Sequence, residues 1–160
     1  MPGKLLYLLR HAKAEGSKQK LADLDRALTE RGVSDAKKLA AKLRKKELDF
    51  NLIVASPAIR AITTAQIIAK TLDFRQSHIE VDEHLYQANA SDFLEVVAKL
   101  HKKASKVLLV GHNPGMEEFA QLLSGESVVM PTCSLVQLAL DVKHWKDLEK
   151  IKHAQLKLIN

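Results

Sequence analysis

Three short apolar runs, Leu5–Leu9, Leu52–Ala55 and Val107–Val110, alternate along the chain with longer segments whose apolar residues recur at helical spacing. A short run with no helical period reads as a strand buried on both faces. Buried strands separated by helices pair in parallel, because a parallel neighbour needs a crossover long enough to hold one. The pattern predicts an α/β protein: a single three-layer α/β/α sandwich over residues 1–160 with a mostly parallel central sheet. No internal repeat, low-complexity tract or long linker interrupts it.

Local signals place the helices. Thr29 can accept from a free backbone N–H, and Leu28 with Val33 has the spacing of a hydrophobic staple. Val33, Ala36, Leu39, Ala40 and Leu43 then form one apolar face that ends near Lys46. Ser56-Pro57 reads as an N-cap with a first-turn proline, which predicts a helix from Ala58 to about Leu72. Phe93, Val96, Val97 and Leu100 mark another, capped by Asn89 or Ser91, and a fourth follows Pro114 through Leu123. Ile79–Asp82 alternates as a weaker strand. Ser134–Leu140 and Ala154–Ile159 read as two more, joined by a charged turn region from Lys143 to Lys152.

The ends of the three apolar runs carry the reactive residues. The first ends in Arg10-His11. The second ends in Ser56-Pro57, with Arg60 one turn into the next helix, and the third in Gly111-His112, ahead of Asn113 and Pro114. Parallel strands present their carboxyl ends at one edge, where open α/β sheets bind ligands. Two arginines and two histidines can therefore surround one tetrahedral dianion, assisted by the positive end of a helix dipole. A guanidinium grips phosphoryl oxygens while a neutral imidazole attacks phosphorus. No carboxylate or cysteine cluster has metal-ligand spacing, so metal-independent chemistry without a cofactor is expected.

Composition narrows the setting. The net charge of +6 comes largely from Lys37, Lys38, Lys42, Arg44, Lys45 and Lys46 in one predicted helix and Lys99, Lys102 and Lys103 in another. Solvated helix faces explain such lysines, and attraction of an acidic or phosphorylated partner is the alternative. Aromatic residues make up 4% of the chain and form no basic-aromatic platform, which argues against a nucleic-acid partner. No apolar run approaches the roughly 20 residues that cross a membrane. Met1–Lys4 shows no signal-peptide cleavage site, and Cys133 is the single cysteine. A cytoplasmic monomer is the default expectation.

Leu9-Arg10-His11-Ala12 resembles the signature of the histidine phosphatase superfamily, with alanine where glycine is usual. Ala55-Ser56-Pro57-Ala58-Ile59-Arg60-Ala61, Thr64-Ala65 and Val110-Gly111-His112-Asn113-Pro114 follow in the family's order. Asp25-x-Ala27-Leu28-Thr29-x-x-Gly32 matches a further stretch, with Ala27 where proline is common. The resemblance covers nearly the whole chain and is strongest to the branch of SixA-type phosphohistidine phosphatases. It implies the phosphoglycerate mutase-like fold. It also implies His11 as a nucleophile that becomes phosphorylated, Arg10 and Arg60 as phosphoryl ligands, and His112 as a donor to the same group.

Arg26 corresponds to an arginine near the pocket mouth, and Ser17 and Lys18 lie in a loop that could touch substrate. Where many relatives of the wider superfamily carry a general acid, the chain reads Val81-Asp82-Glu83-His84-Leu85-Tyr86-Gln87-Ala88. Gln87 aligns with the acid, and Glu83 serves only if the loop is shifted. An alkoxide needs a proton in order to leave. A phosphohistidine can leave as neutral imidazole, so the missing acid favours a phosphohistidine-bearing protein, such as a histidine phosphotransfer domain. The alternatives are a phosphatase or mutase of small alcohol phosphates, or a module that binds phosphorylated partners without turnover. A mutase is disfavoured because the chain lacks the insertions that enclose a sugar phosphate.

The other candidates have structural readings. His78, His84, His101, His144 and His153 are expected at the surface or in local hydrogen bonds, and Cys133 as a small buried hydrophobe. Glu117 and Glu118 would complement a helix N-terminus. Trp145 would sit in the core.

Overall fold

A computed structural model describes residues 3–16 and 22–160. The three apolar runs become strands β1 (Lys4–Arg10), β2 (Leu52–Ala55) and β4 (Lys106–Gly111), with a short edge strand β3 (Glu80–Val81) and a C-terminal pair, β5 (Leu135–Leu140) and β6 (Gln155–Leu158). All six form one sheet in the order β3-β2-β4-β1-β5-β6. Pairing is parallel from β3 through β1, whereas β5 and β6 run antiparallel. The sheet is thus mostly parallel, as expected, and the three strands whose ends carry the reactive residues are consecutive within it, β4 lying between β2 and β1.

Helices α1 (Glu30–Lys45) and α2 (Ile59–Thr71) pack on one face, over Tyr7, Leu9, Ile53, Leu108 and Val110. Helices α3 (Ala90–Ala98) and α4 (Gly115–Ser124) cover the other, over Leu6, Leu8, Val107 and Leu109. Alternate residues of β1 and β4 therefore feed opposite cores, which is the period-two alternation of a strand buried on both sides. The result is the three-layer α/β/α sandwich.

The N-terminal signals of α1 and α3 act as read. Thr29 Oγ1 accepts from Gly32 N–H at 2.9 Å, and Asn89 forms a reciprocal capping box with Asp92. At α2 the expectation fails. The N-cap is Ala58, the helix begins at Ile59, and Ser56 lies outside it. Ser56 Oγ still accepts from Ala58 N–H, at 3.3 Å, but its hydroxyl is also shared with another residue described below. Trp145 is buried and donates from Nε1 to the Ala104 carbonyl at 2.8 Å, in keeping with a core role. Cys133 is buried, and burial pushes its thiol up to about 12.

Gly115 carries a constraint the motif hides. A Cβ there would stand 1.9 Å from the Ala88 carbonyl oxygen. Only glycine lets the start of α4 lie against the backbone of the turn after β3. Among the described residues, no helix is long and apolar enough to cross a membrane.

Candidate active site

Parallel ladders bring the strand ends into register. Arg10 pairs with Gly111, and Ala55 with Val110. The hydrogen bonding continues one residue past each strand: His11 N–H donates to the Gly111 carbonyl at 3.1 Å, and Ser56 N–H to the Val110 carbonyl at 3.0 Å. His11, Ser56 and His112 are therefore held side by side by backbone, before any side chain contributes. A cavity of about 310 Å³ opens over them, lined by Arg10, His11, Lys13, Arg26, Arg60 and His112 together with Ala14, Asn113 and Thr132. It holds all four residues expected at the centre of the site, and Arg26. Lys13 is an additional cation in the lining.

His11 is 9% exposed, and its Nδ1 lies 2.7 Å from the Ala12 carbonyl. A carbonyl only accepts, so Nδ1 carries the hydrogen. Burial above all, opposed by the Ala12 hydrogen bond and aided by the charges of Arg60, Arg10 and Arg26, brings the His11 pKa down to about 4. A neutral ring with its hydrogen on Nδ1 leaves Nε2 with a free lone pair. The nitrogen is nucleophilic without any base.

The two arginines are held differently. Arg10 donates from Nη1 to the Met130 carbonyl at 3.1 Å, and the Asn113 side-chain amide donates to the same oxygen at 2.8 Å. Glu117 accepts from Met130 N–H at 2.6 Å, fixing that loop. Glu117 was expected to serve the helix dipole only, yet it supports the arginine through Met130. Arg60, 5% exposed, donates from Nη1 to the Asp23 backbone carbonyl at 2.7 Å and from Nη2 to the Asp23 carboxylate at 3.1 Å. Thr64 links the loop to the helix, accepting from Ala12 N–H at 3.1 Å and donating to the Arg60 carbonyl at 2.7 Å.

Asp23, in a short 3-10 turn (Asp23–Asp25), joins the rim together. It also accepts from Arg26 Nε at 2.9 Å and from the Tyr86 hydroxyl. Those partners, the Tyr86 hydroxyl foremost, hold its carboxyl well below the usual carboxylate range, while the same contact raises the Tyr86 phenol. Sequence reasoning passed over both Asp23 and Tyr86. They lie 37 and 26 positions from Arg60, and no spacing rule ties them to it.

His112 completes the floor. Its ring centroid is 5.1 Å from that of His11 and 5.7 Å from that of Tyr86, and its Nε2 lies 2.7 Å from Ser56 Oγ. Burial pushes its pKa down to about 3, with the neighbouring His11 and Arg60 adding to the effect. Arg10 Nε, Arg60 Nε, His112 Nδ1 and the acceptor Asn113 Oδ1 are buried with no hydrogen-bond partner among the described residues. Buried polar groups left unpaired are costly, and the two guanidinium N–H groups beside the cavity are suited to an oxyanion.

Glu83 is exposed on a separate 3-10 turn (Glu83–Leu85), and neither it nor Gln87 lines the cavity. Ser17 and Lys18 lie outside the described residues. His84 bonds locally to Asp82 and His101 to the Lys103 N–H, as read from sequence.

Two neutral buried imidazoles make stability depend on pH. The unfolded chain, with imidazoles near 6.5, binds more protons than the folded one between that value and about 4. Thermal stability should be full above pH 6.5 and fall as the pH drops through about 4. Melting temperatures measured across that window should show this slope, and a double His11→Asn, His112→Asn variant should lose most of it. An unchanged slope in that variant would refute the assignment.

A cationic cavity at the carboxyl edge of an open α/β sheet, with the buried Arg10 Nε and Arg60 Nε beside it, is suited to phosphate-like groups. The chain belongs to the histidine phosphatase superfamily (branch 1), whose family model matches residues 6–129. It is 30% identical over 150 residues to an uncharacterized chloroplastic protein of Arabidopsis thaliana, covering 89% of this chain and 69% of that one. The crystal structure of an Agrobacterium tumefaciens protein assigned as phosphohistidine phosphatase SixA superposes with a TM-score of 0.76 at 30% identity, covering 87% of this chain and 92% of the other. A mycobacterial glucosyl-3-phosphoglycerate phosphatase shares the fold, with a TM-score of 0.69 at 21% identity over 97% of both chains. The family and the Agrobacterium tumefaciens structure at 30% identity support a phosphatase.

Proposed function

We propose that the chain dephosphorylates phosphohistidine on a protein, through a covalent phosphohistidine at His11. The observation that carries this reading is the pair of unpaired guanidinium donors, Arg10 Nε and Arg60 Nε, around a neutral His11 ring. His11 Nε2 attacks phosphorus as the bond to the leaving nitrogen breaks. The arginines and His112 hold the equatorial oxygens, where charge gathers in the transition state. Water then attacks the phosphohistidine, releasing phosphate and restoring the imidazole.

The substrate preference follows from proton supply. No residue lining the cavity is a carboxylic acid among those described. The carboxyl nearest to it in the hydrogen-bond network, Asp23, is held ionised and has no proton to give. An alkoxide would leave unassisted, whereas an imidazole protonated on its far nitrogen leaves neutral.

The test compares turnover of a phosphorylated histidine phosphotransfer domain with that of an alkyl phosphate. The phosphoprotein should be favoured by at least the ~10²-fold that general-acid catalysis typically supplies. Faster hydrolysis of the alkyl phosphate would instead identify a small-molecule phosphatase, and binding without turnover of either would identify a phospho-binding module.

A further inference from the structure

We infer that Ser56 is a positioning residue that sets the tautomer of His112, so that the two histidines of the floor present opposite faces of the same chemistry. The number of hydrogens available to Ser56 and His112 fixes the tautomer. Ser56 is fully buried, and its Oγ has two contacts: the Ala58 N–H at 3.3 Å and His112 Nε2 at 2.7 Å. If His112 Nε2 carried the hydrogen, Oγ would accept twice and its own O–H would be buried with no acceptor among the described residues. The His112 Nδ1 lone pair would then be stranded as well, beside an incoming anion.

If Ser56 donates instead, Ala58 N–H bonds to Oγ, the hydroxyl bonds to Nε2, and the single ring hydrogen sits on Nδ1. Every hydrogen of the Ala58–Ser56–His112 relay then has a partner except Nδ1–H, which is buried and unpaired. A phosphoryl oxygen would be its acceptor. His11 has its hydrogen on Nδ1 as well, but there it is spent on the Ala12 carbonyl, leaving a lone pair for attack. One ring offers a lone pair and the other a hydrogen. Ring neutrality makes the choice of tautomer matter, because an imidazolium would donate from both nitrogens.

The catalytic consequence rests on the phosphoryl-binding reading above; the tautomer does not. Long-range proton–nitrogen NMR of the histidine rings near neutral pH tests the tautomer directly. The wild type should show His112 with a protonated Nδ1 and a bare Nε2, and Ser56→Ala should show mixed or exchanging forms. A wild-type His112 with hydrogen on Nε2, or an unchanged spectrum in Ser56→Ala, overturns the inference. Both readouts stand whether or not any substrate is turned over.

Kinetics supply the second arm. Ser56→Ala should lower kcat by up to the ~10²-fold that a lost oxyanion donor costs. Ser56→Cys, which keeps the volume and a weak donor, should lose less. In a His112→Asn background, Ser56→Ala should cost nothing further. An equal loss in both backgrounds would mean that Ser56 acts on the fold alone, and would overturn the positioning role.

Discussion

His11→Ala should abolish the covalent phosphoryl adduct and lower kcat by about 10⁶-fold, the scale on which a covalent nucleophile fails when its partners remain. The prediction follows from the state of the ring. Its Nδ1 hydrogen is tied to Ala12, its burial keeps it neutral, and Nε2 is free. Rapid quenching with labelled phosphoprotein should trap an acid-labile label on the wild type. Peptide mapping should place it at His11. Label on any other residue would overturn the mechanism. The ladder bond from His11 is made by its backbone N–H, so alanine keeps it, and circular dichroism should show the fold intact.

Arg60→Ala should cost at least about 10²-fold in kcat/KM, the scale of a lost transition-state donor, and more than Arg10→Ala. The asymmetry comes from Asp23. Arg10 spends Nη1 on a backbone carbonyl, whereas Arg60 spends both terminal nitrogens on Asp23, one on its carbonyl and one on its carboxylate. Removing Arg60 therefore subtracts a cation and leaves an ionised carboxylate less compensated beside the dianion. Asp23 is 47% exposed at its side chain, so solvent limits the extra loss to a few-fold. Asp23→Asn should recover that extra part in the Arg60→Ala background. Equal losses for the two arginines, with no recovery, would show that Asp23 plays no electrostatic part. Arg60→Lys should rescue poorly, since a point ammonium cannot serve Asp23 and the phosphoryl group from separate nitrogens.

The sheet and its helices were legible because each rests on local periodicity. The apolar runs of β1, β2 and β4, the Thr29 cap and the Asn89 cap are all short-range signals, and their strand ends named the floor of the cavity. The rim was not legible. Asp23 reaches Arg60 and Tyr86 across separations of 37 and 63 positions, through contacts that only the folded sheet creates. Ser56 shows how a correct signal can be misassigned. Its hydroxyl does meet an N–H two residues on, as in a cap, but His112 claims the same oxygen and the helix starts later at Ile59. Glu117 was similarly underread: its carboxylate secures Met130, and through that carbonyl Arg10.

The position of β4 between β1 and β2 divides the cavity by how readily it can come apart. His11 and Ser56 donate into ladders at the centre of the sheet and His112 follows β4 directly, so the floor is expected to separate only when the sheet itself opens. The Asp23–Asp25 turn buries no side chain and can open for far less. Amide hydrogen exchange should therefore be slowest along β4 and fast at Asp23–Arg26. A phosphorylated side chain can be admitted, and phosphate released, by loosening the rim while the floor never loses its geometry.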